Sequence, residues 1–237
     1  IREKELESVV AEIKTAGGNV HTYVCDVSNY TMVNEVAQKV LKEIGDVDII
    51  INNAGVAVGK SLSSITPEEI TQTIGVNLLG NFWVVKSFLS RMLSRNNGHI
   101  VTISSAVGMQ GVNHISEYCA SKFGNFGFAE SLRREFLYLN SDIKTTIICP
   151  YMVDTGLFAG TTSVWFLGEL KSKDVAERII KGIRFEEDLV VIPDLLLLQP
   201  LLRVLPPKWL DATFKLSGAM TACVTMTGRG SQWVLKK

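Results

Sequence analysis

Five short runs rich in β-branched residues are separated by helical patterns, and this alternation restricts the fold of the chain more than any other feature. The runs cover residues 20–25, 47–51, 99–103, 144–149 and 189–192. Three of them, residues 47–51, 99–103 and 144–149, lack a clean alternation of apolar and polar side chains, as expected for parallel strands that are buried on both faces. The sequence therefore predicts an α/β fold with a doubly wound parallel sheet.

A long helical region is predicted to begin at Thr66 and to reach Arg95. Thr66, Pro67 and Glu69 supply an N-cap, a proline at the first helical position and a capping-box glutamate. Asn77 falls inside this region, where asparagine is a poor residue because its side chain competes for backbone hydrogen bonds. We therefore expect a kink near Asn77, of the kind that often has a function. Further helices are predicted over residues 2–16, 33–44, 116–139 and 173–183.

The composition is that of one globular domain. Hydrophobic residues make up 46% and charged residues 20% of the 237 residues, which is enough apolar material to cover both faces of a sheet. One domain is predicted over residues 1–237, with residues 189–237 as its apolar C-terminal extension. Lys+Arg and Asp+Glu both number 24, so the net charge gives no support to nucleic acid as a partner.

The cysteines and histidines show no pattern of metal ligands. Cys25, Cys119, Cys149 and Cys223 are far apart and form no CxxC or Cys/His spacing. They are predicted to be reduced, buried thiols, because free cysteine packs as a small hydrophobic residue. No metal site is expected.

Tyr118 and Lys122 are the first candidates for chemistry. They lie four residues apart on a predicted helix and therefore share one face. A nearby ammonium group favours the phenolate and lowers the pKa of a tyrosine from about 10 toward the range useful for acid/base catalysis. A tyrosine four residues before a lysine is, taken alone, often an ordinary pair on an exposed helix.

Ser105 strengthens the case, because it ends a predicted strand at the sheet edge where such folds bind ligands. Its hydroxyl can donate a hydrogen bond to a substrate oxygen as charge develops there. The alternative is a turn serine that caps the next element, a role that Ser104 fits better. A nucleophilic serine is disfavoured, since no GxSxG elbow surrounds it.

The segment Asn52-Asn53-Ala54-Gly55 follows another predicted strand at its carboxyl end. Small residues at this place let the backbone approach a ligand closely. The alternative is an ordinary Asn/Gly turn.

These motifs occur in a familiar order. NNAG (52–55), VN (76–77), Ser105, YCASK (118–122) and CP (149–150) follow one another as in the short-chain dehydrogenases/reductases, which this chain resembles nearly from end to end. More narrowly, VNLLGNFW, GHIVTISSA, EYCASKFG and IKTTIICPYMVDTGLF are similar to the branch that contains retinol dehydrogenases and 17-beta-hydroxysteroid dehydrogenases.

The resemblance implies a hydride transfer that uses NAD or NADP. Tyr118 would give a proton to the substrate oxygen or take one from it, and Ser105 would orient that oxygen. Lys122 would lower the pKa of Tyr118 and bind the nicotinamide ribose. Asn77 would hold a water molecule that relays protons.

The resemblance also implies a set of cofactor-binding residues. Asp26 and Val27 would lie at the adenine, and Asn53, Ala54 and Gly55 beside the adenosine ribose. The nicotinamide and its carboxamide would be surrounded by Pro150, Val153 and Thr155. Tyr151 stands where the wider family commonly has glycine.

The glycine-rich TGxxxGxG turn that binds pyrophosphate in this family does not occur in the sequence. Gly124–Gly127 and Gly228–Gly230 do not follow a predicted strand in the required way. We therefore expect a fold that lacks its first strand, first helix and second strand, and the choice between NAD and NADP cannot be read. The alternative function is a truncated, catalytically inactive isoform that serves at most as a dimerisation partner.

The expected substrate is a small lipophilic alcohol or its carbonyl compound, retinol/retinal first and a hydroxysteroid next. Residues 164–167 and 195–205 are apolar enough to shape its entrance. A homodimer is expected by resemblance, through the helix that carries Phe82, Trp83 and Phe88.

Membrane association is expected through a missing N-terminal anchor or through the apolar C-terminal segment. The resemblance places the protein at the endoplasmic reticulum membrane or on lipid droplets, and in the cytoplasm if the anchor is truly absent. Pro193, Pro200 and Arg203 interrupt the apolar segment and disfavour a spanning helix.

Overall fold

A computed structural model describes residues 3–227 of the chain. Its centre is a parallel four-stranded sheet with the strand order β1-β2-β3-β4. The strands are β1 (Ile49–Asn52), β2 (His99–Ile103), β3 (Lys144–Pro150) and β4 (Leu189–Ile192). Four of the five predicted strands are thereby confirmed, with β1 beginning and ending slightly later than predicted.

Eight α-helices are found within the described residues, and all the predicted helices are among them. They are α1 (Glu3–Thr15), α2 (Tyr30–Glu43), α3 (Pro67–Ile74), α4 (Gly80–Arg95), α5 (Ser116–Tyr138), α6 (Ser172–Arg184), α7 (Gln199–Leu202) and α8 (Pro207–Ser217). A π-helical segment, Gly75–Leu79, joins α3 to α4. This segment is the kink predicted near Asn77.

The start of α3 confirms the capping box. Glu69 N donates to Thr66 Oγ1 at 3.3 Å, and Thr66 N donates to Glu69 Oε2 at 2.9 Å. These two bonds satisfy amides that would otherwise lack partners, a contribution of about 1 kcal/mol for a typical N-cap.

Helices pack on both faces of the sheet. On one face, Ile50 and Ile100 contact Val85 and Met92 of α4 and Leu132 of α5. On the other face, a separate cluster formed by three strand residues contacts α6; it comprises Val101, Ile148, Val190, Ile179 and Ile183. Burial on both faces is the reason that the central strands lack an alternating pattern.

The strand predicted over residues 20–25 is wrong. No ladder includes these residues in the described part of the chain, and β1 is one edge of the sheet. A β-branched run forms a strand only when a neighbouring strand supplies hydrogen-bond partners. Ile49 and Ile51 on β1 remain 48% and 52% exposed. Cys25 in this run is partly exposed rather than buried, although all four cysteines are free as predicted.

The chain returns to the centre of the molecule after α8. Thr162 N donates to Ala222 O at 3.0 Å, and Thr227 N donates to Ala159 O at 2.7 Å. Residues 219–227 therefore lie against the loop that follows β3. The last part of the predicted C-terminal extension, residues 228–237 with Gly228–Gly230, lies outside the described residues.

Candidate active site

Ser105 joins the carboxyl ends of two neighbouring strands. Its Oγ donates to the main-chain oxygen of Pro150 at 3.4 Å and accepts from Val107 N at 3.3 Å. The second bond caps a short turn, so the capping role that the sequence favoured for Ser104 is taken by Ser105 instead, while Ser104 Oγ donates to Lys122 O. Ser105 is buried at the end of β2, where parallel α/β sheets bind their ligands.

Tyr118 and Lys122 occupy the first two turns of α5, and both side chains are buried. Lys122 Nζ lies 5.6 Å from the centre of the Tyr118 ring, so the two groups share one face as predicted. The ammonium donates to Ile103 O at 2.7 Å. Lys122 is therefore fixed between α5 and the end of β2.

Gly108 allows α5 to approach β2 this closely. A Cβ atom at this position would come within 2.4 Å of Ser104 Oγ and 2.8 Å of Lys122 O. Any larger residue would push the helix carrying Tyr118 away from the strand carrying Ser105.

Burial dominates the electrostatics of the pair. Burial raises the pKa of the Tyr118 hydroxyl, and the neighbouring Ser105 side chain opposes this rise. Burial also lowers the pKa of Lys122 to about 8. The sequence led us to expect that Lys122 would bring the Tyr118 pKa down, and in this structure the shift is in the opposite direction. The ammonium is itself desolvated and bonded to Ile103 O, so it does not offset the cost of an anionic phenolate.

Asn77 connects three elements of the site. Its Oδ1 accepts from Val56 N at 2.8 Å, and its Nδ2 donates to Val56 O at 2.9 Å and to Ser121 Oγ at 3.0 Å. Ser121 Oγ in turn donates to Tyr118 O at 2.7 Å. The π-helical segment is thus tied both to the loop after β1 and to the helix that carries Tyr118.

The predicted cofactor residues after β1 are exposed beside this centre. Asn53, Ala54 and Gly55 follow directly on the buried end of the strand. A Cβ atom at Gly55 would lie 3.7 Å from Asn77 Oδ1 and 3.9 Å from Lys122 Nζ. The backbone at Gly55 therefore borders the same space as Lys122.

Asp26 and Val27 lie on a separate loop. Asp26 Oδ1 accepts from the amide and the hydroxyl of Ser28, at 3.0 and 2.7 Å. Val27 faces Gly80 of α4, where a Cβ atom would come within 3.1 Å of it. These contacts do not reach Tyr118.

Val153 and Thr155 lie on the loop after β3. Val153 forms an isolated parallel bridge with Leu170, and Thr155 N donates to Val153 O at 2.7 Å. Tyr151, which stands at the position of the common glycine, donates its amide to Ile192 O at 2.8 Å. Its hydroxyl oxygen accepts from Val164 N at 3.1 Å. The side chain of Tyr151 thus anchors residue 164, while its backbone amide makes the bond to β4 that a glycine would also make.

An apolar cover encloses Tyr118, and its position was not predicted. Only 4% of the tyrosine is exposed. The Phe158 ring contacts its ring edge-on, with 5.3 Å between centroids. The rest of the cover comes from distant parts of the chain, namely Ala57, Ala222, Cys223 and Met226.

A family model for short chain dehydrogenases matches residues 1–163. The chain belongs to the short chain dehydrogenase family. Among curated members, epidermal retinol dehydrogenase 2 of Homo sapiens is 43% identical over 180 residues, which is 75% of this chain and 58% of that protein. Retinol dehydrogenase 10-B of Danio rerio is 38% identical over 216 residues, covering 89% and 64%. Estradiol 17-beta-dehydrogenase 11 of Homo sapiens is 39% identical over 212 residues, covering 89% and 70%.

Solved structures of family members share the fold. A short chain dehydrogenase/reductase from Burkholderia phymatum in complex with NAD has a TM-score of 0.77 at 23% identity, over 90% of this chain and 84% of that one. An alcohol dehydrogenase from the archaeon Thermococcus sibiricus complexed with 5-hydroxy-NADP has a TM-score of 0.68 at 27% identity, over 79% and 80%. The chain spans 58% and 64% of the length of the first two curated relatives named above.

Two further residues of this family member were missed by the sequence analysis. Ser121 links Asn77 to Tyr118, and Glu117 is buried in the first turn of α5. A glutamate directly before the candidate tyrosine was a usable signal, because a charged residue on a buried helix start needs a partner. The cover left no local signal, since its members are far apart in sequence.

Proposed function

We propose that this chain carries the catalytic centre of an oxidoreductase that transfers a hydride between a nicotinamide cofactor and a lipophilic alcohol/carbonyl pair. The proposal rests mainly on one observation. The Ser105 hydroxyl, the Tyr118 side chain and the Lys122 ammonium lie together at the carboxyl end of β2, beside Gly55. The names of the relatives favour retinol/retinal as the substrate pair, with a hydroxysteroid next.

The chain offers surfaces that fit such a cofactor. The exposed backbone of Asn53, Ala54 and Gly55 borders the space in front of Lys122, where a Cβ at Gly55 would meet only ordinary contacts. We assign the ribose to Lys122, the adenine side to Asp26 and Val27, and the nicotinamide side to Pro150, Val153 and Thr155. The two similar structures hold NAD and 5-hydroxy-NADP, so either dinucleotide remains a candidate. When bound, the cofactor supplies or accepts the hydride.

The residues of the chain handle the proton. In the reductive direction Tyr118 donates its hydroxyl proton to the carbonyl oxygen, and in the oxidative direction its phenolate removes the proton of the alcohol. Ser105 donates a hydrogen bond to the same oxygen and holds it in place. Lys122 stabilises the phenolate once water or substrate loosens its present surroundings. Asn77 Oδ1 retains a second lone pair that can accept from a relay water.

The enclosure of Tyr118 favours an apolar substrate. Its ring packs in a cluster with Ala57, Phe158, Ala222, Cys223 and Met226, none of which carries a charge that would bind a charged substrate group. Residues 219–227 must move aside before a substrate oxygen can reach the hydroxyl. The apolar atoms that line the space then match a retinoid or a steroid.

A second copy of the chain is the proposed partner of a groove on the outer face of α4 and α5. The groove has a volume of about 490 Å³, and its apolar lining includes Phe82, Leu89, Leu93 and Phe128. An apolar groove shared by two helices can be self-complementary across a two-fold axis. Sedimentation equilibrium of the wild type and of Phe82→Glu tests this contact.

Helix α8 supports association with a lipid surface, at the endoplasmic reticulum or on a lipid droplet. Trp209 and Leu216 are 69% and 84% exposed, and their spacing of seven places them on one face. Lys208 and Lys215 precede them on an adjoining face, as in helices that lie in a membrane interface. Among the helices between residues 3 and 227, none is long and apolar enough to cross a membrane.

The decisive test compares the wild type with Tyr118→Phe. The wild type should oxidise retinol with NAD or NADP, and the variant should lose about 10²–10⁴-fold in turnover because the acid/base group is gone. Thermal unfolding should remain close to that of the wild type, since the ring is retained. Unchanged turnover in the variant would remove Tyr118 from its role.

The competing candidate is a non-catalytic protein that serves as a dimerisation partner. The enclosure of Tyr118 and its raised pKa favour this candidate, as does the open groove on α4 and α5. Fluorescence titration with NADH and NADPH separates the two. Micromolar binding supports the oxidoreductase, and no binding at millimolar cofactor supports the partner.

A further inference from the structure

Glu117, the residue directly before Tyr118, is a buried acid that the proposed reaction does not use. It lies in the first turn of α5 and is only 5% exposed. Its Oε1 accepts from Val58 N at 3.4 Å, across a long stretch of sequence. Its Oε2 is buried with no hydrogen-bond partner among the described residues. A buried carboxyl group in this condition requires an explanation.

The loop after β1 is held at three alternate residues. Asn77 hydrogen-bonds both the amide and the carbonyl of Val56, and the amide of Val58 donates to Glu117. Lys60 donates to Glu69 at 2.6 Å. Between these anchors, Ala57 packs in the cluster that surrounds Tyr118. Glu117 is the anchor that belongs to the catalytic helix itself.

The charged and titratable groups around Glu117 lie on α3, on the loop after β1 and on α5 itself. Glu69 lies on α3 and pairs with Lys60 of the loop, while Tyr118 and Cys119 follow Glu117 on α5. Burial raises the pKa of Glu117 above its ordinary value, with Glu69 adding to the rise. The amides of Glu117, Val58 and Tyr118 oppose it. The neutral carboxyl therefore persists to a higher pH than it would in water.

We propose that Glu117 is a positioning residue that fixes the loop carrying Asn53, Ala54 and Gly55 at a constant distance from Tyr118. The cofactor-binding backbone and the proton-transferring hydroxyl then move as one unit. The catalytic consequence rests on the proposed function, whereas the mechanical link between Glu117 and the loop does not. Val58 lies three residues beyond Gly55. Loss of the bond between Val58 N and Glu117 should therefore loosen the backbone at Asn53, Ala54 and Gly55.

Three variants separate this role from simple packing. Glu117→Gln keeps an acceptor for Val58 N and has no charge, so it reproduces the neutral acid. Glu117→Ala removes the anchor and leaves space at the helix start. Glu35→Ala is the control, because Glu35 is an exposed helical glutamate, on α2, that lies outside both the site and the groove of α4 and α5.

The first measurement is amide hydrogen exchange of the free protein. Glu117→Ala should speed exchange at residues 53–60 about tenfold, since one anchoring bond is lost, while Glu117→Gln and Glu35→Ala should resemble the wild type. Equal exchange in the alanine variant and the wild type overturns the proposal. This measurement needs neither cofactor nor turnover. It therefore tests the positioning role of Glu117 even if the proposed oxidoreductase function is wrong.

The second measurement is cofactor affinity against pH, by NADH fluorescence. Glu117→Ala should weaken binding about tenfold at pH 7, and Glu117→Gln should restore it to within about threefold. In the wild type, affinity should fall as the pH rises through the raised pKa of Glu117, because a buried carboxylate facing Glu69 strains the loop. Glu117→Gln should lack this fall. A glutamine variant as weak as the alanine variant contradicts the role of the neutral acid.

Discussion

The Ser104 hydroxyl donates a hydrogen bond of 2.9 Å to the main-chain oxygen of Lys122 and ties the end of β2 to the second turn of α5. This bond is buried and joins residues of two different elements. Its neighbour Ser105 uses its hydroxyl in two longer contacts, at 3.3 and 3.4 Å. The two adjacent serines therefore have different roles. Ser104 holds α5 against the end of β2, and Ser105 remains available to a substrate.

Substituting each serine by alanine should separate these roles. Ser104→Ala should lower the free energy of unfolding by about 1–2 kcal/mol, because Lys122 O loses a buried donor. Ser105→Ala should change stability less and lower turnover about 10²-fold, as for the loss of one oxyanion donor. Urea unfolding and retinol oxidation measure the two effects. If Ser104→Ala lost turnover with full stability, the assignment of roles would be reversed.

The elements that depend on local signals were predictable from the sequence. The capping box at Thr66 and Glu69 set the start of α3, and the poor helix residue Asn77 marked the π-helical kink. Each of these signals acts within one or two turns of helix, where neighbouring residues determine the geometry. Ser105, Tyr118 and Lys122 were also predictable, because they belong to one βα unit: Ser105 follows β2, and the other two lie at the start of the next long helix.

Features that need a distant partner were not predictable. Residues 20–25 have the composition of a strand, but a strand exists only where another backbone pairs with it. The cover over Tyr118 joins Ala57 to Met226, which no periodicity connects. The direction of the Tyr118 pKa shift follows from this cover, because desolvation outweighs a cation that is itself buried.

Lys122 should make stability depend on alkaline pH. Its pKa is about 8 in the folded state, against 10.5 for a free lysine, so folding expels a proton between these values. The lowered pKa means that stability is lost as the pH falls from about 10 toward 8. Relative to Lys122→Met, the wild type should gain on the order of 1–3 kcal/mol between pH 8 and about 10. Urea unfolding at closely spaced pH values measures this difference.

Above about pH 10 the trend should weaken, because the raised pKa of Tyr118 acts in the opposite direction there. The unfolded tyrosine loses its proton while the folded one keeps it, so stability falls with pH. Parallel curves for the wild type and Lys122→Met below pH 10 would show that the ammonium is not desolvated.

Met226 should control access to Tyr118 from the C-terminal segment. Its side chain fills the space beside Gly59, where a Cβ atom would come within 2.6 Å of Met226 Sδ. Met226→Ala should loosen residues 219–227 and speed alkylation of Cys223, whose pKa burial raises to about 11. Peptide mapping after timed iodoacetamide treatment measures the rate. Cys149, buried within β3, is the internal reference and should remain slow.

Met220→Ala is the matched control for this measurement, because Met220 lies in the same turn region outside the cluster around Tyr118. Its Cys223 should react at the wild-type rate. If the two methionine variants were labelled equally fast, the cover would be responding to general loosening and not to the loss of the contact at Gly59.

Helix α8 should bind anionic lipid through two lysines and an apolar stripe. Lys208 and Lys215 would meet phosphatidylserine headgroups while Trp209 and Leu216 enter the interface. Reversing both charges with Lys208→Glu and Lys215→Glu should weaken cosedimentation with phosphatidylserine-containing vesicles by at least about tenfold.

The pair Lys39→Glu and Lys173→Glu changes the net charge equally at exposed sites of α2 and α6 and should leave binding near the wild-type level. Trp209→Ala should weaken binding to vesicles with and without phosphatidylserine alike, because it removes apolar area and no charge. Equal losses in the two charge-reversed pairs would mean that net charge, and not α8, directs the protein to the lipid surface.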